Sequence, residues 1–188
     1  MKRQFDPAVL EMMDRPQPVS PELESDLKRI RQLNRWFGSY RLVSRFMRRW
    51  IKPGYQMRIV DLATGSGDIP RLIVDYARNI GAKVEIDALD RQSATLEIAK
   101  KLSAAYPEIS YHATNILDWS PAEAYDIVLC TLVLHHFSDE DAVSVLRRCR
   151  AADGGEHEGR QRQPLSSVSH RADYSRRAKI AISQGLCR

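Results

Sequence analysis

The chain has 188 residues, 43% hydrophobic and 28% charged, with 29 Lys and Arg against 24 Asp and Glu. That length supports one domain with a substantial core and leaves little for a second. No apolar run approaches the roughly 20 residues of a membrane span, "MKRQFDPAVLEMMD" lacks the apolar stretch of a secretory signal, and Cys130, Cys149 and Cys187 form no CxxC pair. A soluble, cytoplasmic protein with reduced thiols is expected, without a zinc site or a disulfide framework.

Residues 1–19 read as irregular, with a short helical piece around Pro7–Met13. In "SPELESDLKRIRQLNRWF", Ser20 suits the N-cap of a helix, Pro21 its first position, and Glu22 and Glu24 its first turn. Leu23, Leu27, Ile30 and Leu33 recur at helical spacing, which predicts one buried face with Lys28, Arg29 and Arg31 in solvent. Gly38 interrupts the pattern. "SYRLVSRFMRRWI" resumes it, with Leu42, Val43, Phe46, Met47 and Trp50 on one side, and Pro53-Gly54 ends it. So many arginines can suit a membrane surface or nucleic acid. Phe46 and Trp50, however, share a side with Leu42 and Val43, which predicts packing over a site. Residues 1–54 are therefore read as a helical lid.

From there the chain alternates. Strands are expected at Met57–Leu62, Lys83–Leu89, Ile109–Thr114 and Asp126–Thr131. Helices are expected at Ile69–Asn79, Ala94–Ala105 and Glu140–Arg150. Strands alternating with helices imply crossover units: an α/β fold with a mostly parallel sheet and helices on both faces. Ligands of such sheets bind beyond the carboxyl ends of the strands.

"RIVDLATGSGDIPRLIV" places a Gly-containing turn at such an end. A phosphate loop needs a lysine after its last glycine, and Asp68 stands there instead. A dinucleotide turn needs a third small residue for close helix–strand packing, and Pro70 occupies that position. An NAD(P)-dependent reductase stays open as an alternative. S-adenosyl-L-methionine, cationic and without phosphate, suits the flanking acids better. Asp61 can hold its ammonium group, directly or through water, and Gly65 and Gly67 let the backbone approach its amino acid chain. Asp90 can accept hydrogen bonds from both ribose hydroxyls.

"VDLATGSGDIPRLIV", "VEIDALDRQSATLEIAKK", "ISYHATNILDW" and "YDIVLCTLVLHHF" together resemble the successive motifs of class I S-adenosylmethionine-dependent methyltransferases, over residues 55–150. "PELESDLKRIRQLNRWFGSYRLV" is also similar to the helical lead-in of small-molecule members. The resemblance implies a Rossmann-like fold and methylation of an oxygen or carbon on a small polyketide- or quinone-like acceptor. It implies that Asp61, Ala63, Gly65 and Gly67 surround the methionine portion and that Asp90 grips the ribose. Asn115 would meet the adenine amino group through its amide oxygen, Ile116 would pack on the ring, and Thr131 would line the floor. Ala63 departs from the family's common glycine, which is tolerable if its backbone keeps to a conformation open to L-residues. Arg91 departs from a usual apolar residue, though a guanidinium can lie flat on a ring. Arg41 is a candidate partner for the cofactor carboxylate.

His135 and His136 follow the fourth strand, where an acceptor would lie. One of them could serve as a general base; as pocket wall they would leave the transfer to alignment of donor and acceptor. Two adjacent histidines without a third ligand do not suggest a metal.

Residues 151–188 hold seven of the basic residues and four of the acidic ones, so most of the basic excess lies outside the predicted domain. That argues against nucleic acid as a partner. Ile180–Ile182 is the single apolar patch there, and the segment is expected to be a disordered or frame-shifted tail. A shifted reading of Glu156–Ser167 permits a strand-like run. An incomplete sheet would leave the fourth strand as an exposed edge, through which a homodimer could pair. A cofactor-binding remnant without turnover is then an alternative to an active enzyme.

Overall fold

The computed structural model describes residues 18–36, 38–152 and 179–183. Their elements are α1 (Pro21–Trp36), α2 (Ser39–Trp50), β1 (Gln56–Leu62), α3 (Asp68–Ile80), β2 (Lys83–Asp90), α4 (Ser93–Leu102), β3 (Ile109–Ala113), β4 (Ile127–Thr131), α5 (Asp139–Ala152) and β5 (Lys179–Ser183). The expected pieces at Pro7–Met13 and Glu156–Ser167 lie outside the described residues.

The five strands run in the order β3-β2-β1-β4-β5, and every pairing is parallel. This is the expected doubly wound sheet. Because side chains alternate along a strand, β1 divides its apolar residues between two cores. Met57 and Ile59 join Val43 and Met47 of α2, Ile69, Ile73 and Ala77 of α3, and Leu129 of β4. Val60 and Leu62 join Val128 and Cys130 of β4, Val145, Cys149 and Ala152 of α5, and Trp119 and Tyr125. Ile59, Val60, Ile73 and Val145 are sealed from solvent, and full burial of such side chains contributes about 1.5–3 kcal/mol each. A smaller cluster joins Leu23 and Leu27 of α1 to Ile98 of α4.

Several expectations change. The apolar face of α1 is buried only in its first half: Leu23 and Leu27 are covered, while Ile30, Leu33 and Trp36 are exposed. Helical spacing records a shared face, but not how far the neighbour extends along it. Helix α2 belongs to the main core through Val43 and Met47, with Trp50 stacked on Phe46 at 4.9 Å. Its Arg41, Arg45, Arg48 and Arg49 form the solvated face. Helix α4 ends at Leu102, where the Ser103 N–H donates to Ala99 and Lys100 carbonyls. The fourth strand is not an edge, since Ile127–Thr131 pair with Lys179–Ser183. The apolar patch read as part of a disordered tail supplies that strand, which removes the basis for dimerisation through β4.

The β1–α3 turn sets the geometry of the sheet's carboxyl edge. Gly67 has φ 69°, a left-handed backbone that favours glycine, and an added Cβ would collide with the Tyr111 hydroxyl. Gly65 is also left-handed at φ 56°, with open space around it. Gly67→Ala is accordingly expected to cost about 2–4 kcal/mol, strain plus overpacking. Gly65→Ala should cost only about 1 kcal/mol, strain alone. Urea unfolding of the two variants checks this, and equal losses would refute the steric role of Tyr111.

Candidate functional site

Ala63–Gly67 connects β1 to α3 and is held by backbone contacts on both sides. The Thr64 N–H donates to the Leu89 carbonyl at 2.8 Å, and the Gly67 N–H donates to the Thr64 carbonyl at 3.0 Å. Ala63 has φ 58°, so its backbone is left-handed. Alanine is accommodated there only in the small left-handed region open to L-residues, at a strain of about 1 kcal/mol. Pro70 is buried in the first turn of α3, where a missing N–H costs no helical hydrogen bond. Proline there replaces the third small residue by which a dinucleotide turn packs its helix closely on the strand.

Asp90, at the end of β2, pins this turn. Its Oδ2 accepts the Gly65 N–H and its Oδ1 the Gln92 N–H, both at 2.9 Å. Burial pushes its carboxyl up, and the backbone N–H groups of Gln92, Gly65 and Arg91, with the Arg91 charge, pull it part of the way back. This structural duty was not apparent from sequence, which shows the acid but not that it faces the turn 25 residues earlier.

Asp61 is 1% exposed, and neither of its oxygens has a hydrogen-bond partner. Its carboxyl is pushed up to about 7, chiefly by burial, with Asp68 and Asp90 adding repulsion. Thr64 lies near enough to offset a little of this, yet its Oγ1 falls short of a hydrogen bond and is itself buried without a partner. Unpaired acceptors at this depth cost stability unless something completes them. Three carboxylates converging on one turn favour a cationic ligand and oppose a phosphate.

The third of these, Asp68, connects the turn to the N-terminal helices. Its Oδ2 accepts the Tyr40 hydroxyl at 2.6 Å and the Asn34 amide at 3.4 Å, and its Oδ1 accepts the Ser66 hydroxyl at 3.2 Å. Sequence gives no sign of the Tyr40 and Asn34 partners, which lie 28 and 34 residues away. Arg31, expected in solvent, is half-buried, and its Nη1 has no partner. Arg41 is exposed.

The remaining candidates line the same sheet edge. Asn115 is exposed and engaged in a local turn: its Oδ1 accepts the Leu117 N–H at 3.1 Å, and its Nδ2 donates to Asp118 at 2.9 Å. Ile116 is buried, and Arg91 is exposed beyond Asp90. Thr131 closes β4, and Leu132 follows with a left-handed φ of 58°. A single 3-10 turn, Leu134–His136, then carries both histidines, their ring centroids 4.1 Å apart. Among the described residues no group of three or more His, Cys, Asp or Glu could hold a metal ion, and no helix is long and apolar enough to cross a membrane. A surface cleft among Gln56, Val84, Arg78 and Glu108 lies at the strands' opposite, amino ends, away from these groups.

Residues 59–152 match a family model described as a methyltransferase domain. Over 99 residues the chain is 35% identical to the O-methyltransferase sirM of Leptosphaeria maculans, covering 50% of this chain and 23% of that protein. Over 126 residues it is 29% identical to a 2-phytyl-1,4-naphtoquinone methyltransferase of Synechococcus elongatus, covering 64% and 45%. The N-methyltransferase NodS from Bradyrhizobium japonicum WM9, solved with S-adenosyl-L-homocysteine, superimposes with a TM-score of 0.50 at 15% identity, over 61% of this chain and 54% of that one. That likeness is one of fold. The chain spans less than half the length of both curated relatives.

Asp61 also makes a prediction about the unliganded chain. With its carboxyl raised from 3.8 to about 7, the folded state holds a proton that the unfolded state releases. The associated stability is complete below pH 4 and is lost as pH rises through 7. Asp61→Asn, uncharged at every pH, should therefore be more stable than the unsubstituted chain at pH 8, by about 1–3 kcal/mol. The gain should fade below pH 5. Urea unfolding at pH 8 and pH 4.5 measures both, and a pH-independent difference would contradict the buried charge.

Proposed function

Because the chain belongs to the methyltransferase domain family, we propose that it binds S-adenosyl-L-methionine at the Ala63–Gly67 turn and methylates a small acceptor. The observation that carries this reading is Asp61, a buried carboxylate with no protein partner, beside two further acids. Its place fits the ammonium group of the cofactor's amino acid end. Gly65, with open space around it, lets the backbone approach that end closely, with Gly67 completing the turn, and Asp90 keeps lone-pair capacity for the ribose beyond the backbone N–H groups it accepts. Ile116 packs on the adenine, Asn115 and Arg91 flank it, and Thr131 and Ala63 line the floor. Residues of α1 and the start of α2 act as the lid.

When bound, the cofactor supplies an electrophilic methyl group on sulfur, with a neutral thioether as leaving group. The chain's own residues hold it and orient it toward the end of β4, and such alignment removes most of the entropic barrier. We place His135 and His136 on the acceptor wall. An O-methyltransferase and a naphthoquinone methyltransferase among the relatives support a small cyclic acceptor methylated at oxygen or carbon. Ile30, Leu33 and Trp36, exposed on α1, offer such a molecule apolar surface.

A reductase would set a dinucleotide's pyrophosphate against Asp61, Asp68 and Asp90, which Coulomb repulsion disfavours. Isothermal calorimetry separates the cofactors: S-adenosylhomocysteine should bind and NADPH should not. The reverse would overturn the methyltransferase reading. Turnover of S-adenosylmethionine with phenolic and quinol acceptors then separates an enzyme from a binding remnant. Asp90→Ala should weaken S-adenosylhomocysteine at least tenfold, as expected for losing charge-assisted hydrogen bonds worth about 1.5–3 kcal/mol; unchanged affinity would mean that the ribose lies elsewhere.

A further inference from the structure

The amino acid end of the proposed cofactor carries two charges, and Asp61 answers only one. The α-carboxylate needs a cation, and the acids around the turn repel it. Arg71 is the nearest cation on α3, but its Nη1 already donates to the Ser66 carbonyl at 2.8 Å and to the Ser103 hydroxyl at 2.9 Å. Arg41, the candidate read from sequence, is exposed.

Arg31 has the opposite character. It precedes Asn34 by one helical turn, so the two side chains share a face of α1, and Asn34 reaches Asp68 at the head of α3. Arg31 also lies close enough to Tyr40 to influence its hydroxyl electrostatically, together with Arg71. That hydroxyl is itself bonded to Asp68. The guanidinium thus lies in the neighbourhood of the Tyr40–Asp68 bond, and its Nη1 is buried without a partner. A buried, unsatisfied charged donor is costly, and its bidentate geometry matches a carboxylate.

We infer that Arg31 is the anchor for the α-carboxylate of the cofactor, so that α1 closes on the site by an ion pair with the ligand itself. The inference rests on the proposed cofactor and deepens it. Asp61 and Arg31, each left incomplete by the protein, then take the ammonium and the carboxylate of one zwitterion. Asp68 ties down the helix that carries the arginine through Asn34, and the start of α2 through Tyr40.

Calorimetry with two ligands tests this: S-adenosylhomocysteine, and the same molecule lacking its carboxylate. Arg31→Gln should weaken the first about ten- to a hundredfold and change the second less than twofold. Arg31→Lys should recover part of the loss, since it restores the charge without the fork. Thermal melting of each variant confirms folding. No loss for S-adenosylhomocysteine, or equal loss for both ligands, would overturn the assignment to Arg31 while leaving the cofactor reading intact. Failure of the unsubstituted chain to bind either ligand would overturn the cofactor reading, and this assignment with it.

Discussion

The unpaired carboxylate of Asp61 is the constraint around which the carboxyl edge of the sheet is arranged. It stands one residue before the end of the central strand, where the chain is about to leave the sheet and is sealed from water. Asp68 and Asp90 stand near enough to raise its proton affinity further. A fold selected only for stability would place an apolar residue or a satisfied amide there. Retaining the acid costs the empty protein free energy that a cationic ligand can return. Active and binding sites concentrate groups of this kind.

The turn that follows passes over the buried Asp61. Three consecutive odd positions, Ala63, Gly65 and Gly67, are left-handed, which lifts the backbone away from the strand and presents main-chain groups instead of side chains. Two glycines accept this without strain, and Ala63 does not. Asp90 offsets the cost by bonding the middle of the turn from the neighbouring strand. The same carboxylate therefore fixes the loop and, in the proposed site, is the one assigned to the ribose, so the two duties cannot be separated by removing it.

Much of this was legible in the order of residues. Alternation of short apolar runs with amphipathic segments points to a parallel sheet, and two acids near strand ends with glycines between them mark the turn as acidic. What escaped depends on contacts distant in sequence. Nothing in "DIP" shows that Asp68 meets Tyr40 and Asn34. Arg31 reads as one of three solvated bases, because periodicity places it beside the buried face without showing what stands opposite. "KIAIS" is too short and too isolated for its pairing with β4 to be inferred, since a five-residue strand is specified mainly by the edge it joins. The strain at Ala63 and Leu132 is invisible for a related reason: backbone conformation at a turn is imposed by the elements on either side.

The two helices at the N-terminus differ in how firmly they are attached, and the difference bears on how a ligand reaches the turn. Helix α2 contributes Val43 and Met47 to the main core, so displacing it exposes apolar surface worth several kcal/mol. Helix α1 is held by Leu23 and Leu27 against Ile98 and by the weak Asn34–Asp68 contact of 3.4 Å. Its second half buries little. Gly38, left-handed at φ 89°, joins the two helices and lets the chain change direction there. Opening of α1 is therefore the least costly way to uncover the turn, consistent with local unfolding in regions of few buried contacts. If Arg31 anchors the carboxylate as proposed, its buried Nη1 gains a partner only with the ligand in place, and that would couple closure of α1 to binding.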